Sequence, residues 1–104
     1  MLECNHASIV KTQSGTVTGT PVYLPHSCRN VALIIDSEGS GAGSFQLQSA
    51  GTAEFAGTWA NVGTALPAVV GASVNAQVPG SFLALRLVGT GVVAGVTARI
   101  VAVT

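Results

Sequence analysis

Charge is what this 104-residue chain has least of: four Lys+Arg and four Asp+Glu, 8% of its positions, with a formal net charge of zero. A nucleic-acid surface is excluded on that count, since affinity for phosphate comes largely from Lys and Arg. Aromatics are scarce too, with one Trp, one Tyr and three Phe. Few carbohydrate modules manage with so small a set, and only Trp59 with Phe55 offers a candidate stacking platform. Four carboxylates and two histidines leave little from which to assemble an acid and a base, so no enzymatic function is expected. Met1-Leu-Glu-Cys-Asn-His has neither a basic n-region nor an apolar h-region, and no signal peptide is read there. Helical periodicity is absent throughout. Disorder is excluded as well, because 48% of the residues are hydrophobic and disordered chains are poor in them.

What is present is small or β-branched: 15 Ala, 15 Val, 13 Gly, 10 Thr and 9 Ser supply 62 of the 104 positions. They fall into short runs separated by Gly, Pro, Asn and Ser clusters, the pattern of a sandwich or barrel. The fold class expected is all-β, a single small antiparallel β-sandwich or jelly-roll-like barrel of about eight short strands. Candidate strands are 7–11, 16–24, 30–36, 44–50, 58–62, 73–78, 82–88 and 93–103. Residues 1–15 are read as an N-terminal arm or edge strand and 16–104 as the β-sandwich domain. The apolar stretch 82–103 contains Arg86 and Arg99, which argue against a membrane span and for two strands around Gly89-Thr-Gly91. Alternation turns those arginines into register marks. With Arg86 outward, Leu83, Leu85 and Leu87 point inward; with Arg99 outward, Val96, Ala98 and Ile100 do. Phe45 and Leu47 share a face opposite Gln46 and Gln48. Val31, Leu33 and Ile35 are expected in the core, yet Val31-Ala-Leu-Ile-Ile35 is apolar on both faces. Two-sided apolar strands with so little charge around them point to surface covered by partner chains.

Chemistry-bearing motifs are few. Gly39-Ser-Gly-Ala-Gly43 lacks the Lys-Ser/Thr of a phosphate loop and is expected to be a hairpin loop. Asp36 and Glu38 are two residues apart but sit beside glycines at a strand end, which reads as a solvated rim. All cysteines and histidines fall in two tripeptides, Cys4-Asn5-His6 and His26-Ser27-Cys28. On extended backbone, residues i and i+2 face one side, so Cys4, His6, His26 and Cys28 would make a tetrahedral Cys2His2 zinc site if the two segments lay side by side. A Cys4–Cys28 disulfide and two free, packed thiols are the competing readings, the last favoured by a reducing compartment. Beyond that zinc, no cofactor is expected.

Three runs carry a resemblance: Gly43-Ser-Phe-Gln-Leu-Gln-Ser49, Gly57-Thr-Trp-Ala-Asn-Val-Gly63 and Pro79-Gly-Ser-Phe-Leu-Ala-Leu-Arg-Leu-Val-Gly89. The order of these strands, followed by a Thr/Val-rich strand, resembles small β-sandwich structural proteins of tailed bacteriophages, from about Asn30 to Thr104. Gly51-Thr-Ala-Glu-Phe-Ala56 departs from the tight Asp-Gly turn frequent in such proteins. The resemblance implies a virion structural protein assembled in the host cytoplasm. Low charge and apolar strand faces narrow this to a capsid decoration (cement) protein. Its partners would be the major capsid protein or other virion proteins, and copies of itself in a homo-oligomer such as a trimer; neither nucleic acid nor membrane is expected. Residues 2–10 are the candidate contact arm. The alternatives are a tail, baseplate or head-fibre module, and a carbohydrate-binding adhesin domain.

Overall fold

Alternating β-branched residues give nine strands: β1 (Glu3–Ile9), β2 (Gly15–Thr18), β3 (Val22–Tyr23), β4 (Asn30–Ser37), β5 (Ala42–Ala50), β6 (Ala60–Pro67), β7 (Ser73–Val78), β8 (Ala84–Val93) and β9 (Val96–Val103). The computed structural model describes residues 3–24, 30–39, 41–52, 54–78 and 83–103, with the backbone alone for residues 3–7 and 103; no helix occurs among them. Two antiparallel sheets result. The first has the order β1-β9-β4-β7, the second β2-β8-β5-β6, with β3 also on β8. The chain crosses from sheet to sheet at most of its connections, so strands adjacent in space are distant in sequence. Between the sheets lie Ile9, Val31, Leu33, Ile35, Phe45, Leu47, Leu85, Leu87, Val96, Ala98 and Ile100, all buried. Each fully buried aliphatic or Phe side chain contributes roughly 1.5–3 kcal/mol relative to exposure. The inward alternation of β4, β5, β8 and β9 is the one their sequences set.

Several expectations are corrected. Leu83 is 55% exposed while Leu85 and Leu87 are fully buried, because pairing with β5 starts at Ala84 and Leu83 lies in the bend before it. The run 16–24 is two strands, interrupted at Gly19-Thr-Pro21, where proline has no N–H for a ladder. Gly89-Thr-Gly91 is no turn. It lies inside β8, and the reversal comes at Ala94-Gly95. Gly89 is small for packing instead: a Cβ there would stand 2.6 Å from Val92 Cγ2 and 3.0 Å from Ile9 Cδ1. The strand expected at 58–62 starts later and runs through Gly63 to Pro67. Gly39 to Gly43 does not close a hairpin but carries the chain from the first sheet to the second. There the Gly41 N–H donates to the Glu38 carbonyl (2.9 Å) and the Glu38 N–H to the Gly95 carbonyl (2.8 Å).

Candidate interaction surface

Among the described residues the sandwich is open on one side. β6 and β7 are the outer strands of their sheets, and neither contains a fully buried residue. Their inward side chains Val62, Leu66, Val74 and Val78 pack on the core but stay partly exposed. Between them is a cleft of about 300 Å³, lined by Leu33, Leu47, Val62, Leu66, Ala76 and Val78 among others. Thr64 and Gln77 border it. Beyond the strands, Val69 and Val70 of their connector are exposed. Residues 55–85 contain no Asp, Glu, Lys, Arg or His, so both strands and the connector are electrically neutral. Such a surface can be covered without desolvating a charge, which is the costly part of burial.

β6 holds its place through a side chain. Its register against β5 passes from Phe45↔Leu66 to Leu47↔Val62, so β6 bulges outward where Gly63 has a φ of 67°. Bulges leave ladder groups without partners. The amide Nε2 of Gln46 shares its two N–H groups among the carbonyls of Leu47 (2.8 Å), Val62 (3.1 Å) and Gly63 (3.3 Å), and so ties the bulged segment to β5.

On the outer face of the second sheet, Trp59 is 4% exposed yet lies outside the central core cluster. Arg86 Cζ stands 4.6 Å from the ring centroid, a cation–π contact worth about 0.5–2 kcal/mol. The Arg86 Nε–H donates to Gln48 Oε1 (2.8 Å), and Gln48 Nε2 donates to Asn61 Oδ1 (3.0 Å). The Trp59 indole N–H donates to the Phe55 carbonyl at 3.1 Å. Trp59 is therefore capped by the guanidinium rather than open as a stacking platform, while Phe55 and Tyr23 remain exposed.

No protein-family model matches the chain, and no curated protein does. Among solved structures it is similar to the crystal structure of PirA. The TM-score is 0.54 and the identity 16%, over 96% of this chain and 91% of that one. A fainter likeness is to the structure of infectious bursal disease virus Gx strain, with a TM-score of 0.41 and 15% identity, over 97% of this chain and 30% of that one. At such identity the PirA likeness shows an all-β sandwich and nothing about activity.

Of the zinc candidates, His26 and Cys28 lie outside the described residues. Cys4 and His6 are on β1, where their backbones pair with Ala102 and Ile100. Among the described residues no three His, Cys, Asp or Glu side chains gather as a metal site. Asp36 is on β4 and pairs with Thr97 and Ser73, Glu38 is exposed at the crossing between sheets, and Glu54 is exposed beyond β5. Arm residues 3–9 form β1 along one edge of the first sheet. Sequence reasoning missed two things: β7 as a free edge, and Gln46 as the brace of β6. The charge-free run 55–85 was available as a clue to the first. Nothing in the sequence marked the second, because the bulge appears only in the pairing.

Proposed function

We propose that this chain is a non-enzymatic structural protein of a tailed-phage virion, a capsid decoration (cement) protein that works by binding neighbours. The observation that carries this is the neutral open side formed by β6, their connector and β7, a binding surface with no chemistry of its own. The strand order β1-β9-β4-β7 against β2/β3-β8-β5-β6 is that of a jelly roll, an architecture common among capsid and lectin domains. The phage-like runs fall on β5, the start of β6 and β8, which make one continuous sheet. Function would be mechanical: apolar surface covered between shell subunits is re-exposed when they separate, at about 25 cal/mol per Å², and repeated around a shell the small contacts sum. Against the lectin-like alternative stands Trp59, held beneath Arg86. Electron microscopy of the source particles tests the proposal. Density for the chain over the whole shell is expected; density at the tail or baseplate alone would refute it.

A further inference from the structure

Sheet edges in stable monomers are guarded by charge, proline, bulges or interruption, because an open edge recruits other strands. The four edges of this sandwich differ in that respect. β1 carries Glu3 and a register break between Ala7 and Ile9. The edge formed by β2 and β3 is interrupted at Gly19-Thr-Pro21. β6 has its bulge at Gly63 and ends on Pro67. β7 has none of these. Its six residues, Ser73-Val-Asn-Ala-Gln-Val78, contain no charge, Gly or Pro, and their register with β4 is unbroken from Val31↔Val78 to Asp36↔Ser73.

We propose that β7 pairs antiparallel with β7 of a second copy about a two-fold axis, joining two four-stranded sheets into one of eight. The strand's own pattern selects that occupant. Ser73, Asn75 and Gln77 are exposed on one face, while Val74, Ala76 and Val78 face the cleft half-buried. Antiparallel partners share a face. A two-fold centred on Asn75 sets Ser73 opposite Gln77 and Val74 opposite Ala76. Centred on Ala76, it sets Asn75 opposite Gln77 and Val74 opposite Val78. Either register joins polar to polar and apolar to apolar, and no charge on either strand is desolvated. It also brings the two open sides together. Residues 60–78, from β6 through β7, number 19, close to the 20–30 residues a side of a standard interface (about 800 Å² per partner). The pairing does not require the virion role.

Sedimentation velocity over a range of concentrations tests it. The intact chain should run as a dimer, twice the 10.3 kDa of one chain. Asn75→Lys places two cations opposite or diagonal across the axis and should raise the dissociation constant by up to about fivefold, with an unchanged far-ultraviolet spectrum. Gln77→Lys repeats the test should Asn75→Lys disturb folding. Mixing Asn75→Lys with Asn75→Glu should restore dimers, which a general effect on solubility would not do. Thr18→Lys, exposed on β2 at the opposite end of the second sheet, should leave the dimer intact. A monomer or trimer from the unaltered chain would overturn the pairing, as would a dimer insensitive to both lysines on β7 or a failed rescue. Shell binding by a monomer would refute the pairing alone, whereas a β7 dimer absent from shells would refute the virion role alone.

Discussion

Gly89→Ala would add one methyl group between the two sheets, against buried side chains of both. The new Cβ would lie 2.6 Å from Val92 Cγ2, 3.0 Å from Ile9 Cδ1 and 3.1 Å from Phe45 Cε1. Those side chains are 3%, 0% and 0% exposed, so none can swing into solvent. Val92 is β-branched and has little χ1 freedom with which to yield. Overpacking of this kind costs about 1–3 kcal/mol. Alanine returns about 0.5–1 kcal/mol through its better backbone entropy in a strand, leaving a net loss of roughly 0.5–2 kcal/mol. In urea, with a slope of about 1–3 kcal/mol per molar, the midpoint should fall by about 0.2–2 M. The single Trp of the chain, Trp59, reports unfolding by its fluorescence. Gly51→Ala is the control, since no atom lies within 4 Å of a Cβ built there. Combining Gly89→Ala with Val92→Ala should cost less than the two separate losses together, because the smaller residue makes the room the methyl needs. An unchanged or higher midpoint for Gly89→Ala would refute the close-packing account, and would suit a glycine placed in an exposed turn instead.

Two further outcomes concern the second sheet. Gln46→Leu removes the donor to the Val62 and Gly63 carbonyls. A loss of about 1–2 kcal/mol is expected, with amide hydrogen exchange accelerated in β6 more than in β4; uniform acceleration would deny that the amide braces one strand. Arg86→Ala uncovers the Trp59 ring and frees Gln48, so native fluorescence should move to longer wavelength and stability fall by about 1 kcal/mol. A native emission maximum that stays in place would mean the guanidinium does not shield the ring.

How much of this was legible beforehand varies by element. In β4, β5 and β9 the period-two pattern is clean, and Leu47, Ile35 and Ile100 lie where alternation puts them. Arg86 and Arg99 served as register marks because a charged head group is costly to bury. Glycine is where the sequence is least legible. Gly89 and Gly63 both lie within strands, the first for close packing and the second for a bulge, and a sequence without coordinates does not separate these uses from a turn. Leu83 misled for another reason: alternation continues on paper past the point where the sheet stops pairing. The open side was half visible. Its lack of charge is plain in the sequence, but that β6 and β7 are both edges, and on the same side, follows only from strand order. Trp59 showed the limit of residue-type reasoning, since the guanidinium over its ring belongs to Arg86, distant in sequence and reaching it from the far side of β5.

The pairing of β9 between β1 and β4 also bears on how the chain reaches its fold. The middle of the first sheet is supplied by residues 96–103, so neither Glu3–Ile9 nor Asn30–Ser37 has its shared neighbour until that segment is available. Folding of this kind is dominated by distant contacts and is correspondingly slow. During synthesis, β4 waits with its apolar face uncovered, the interval in which unintended strand pairing is most harmful. Removal of the last strand would not fray the sandwich at an edge; it would divide the first sheet, leaving β1 unattached and β4 with β7 alone.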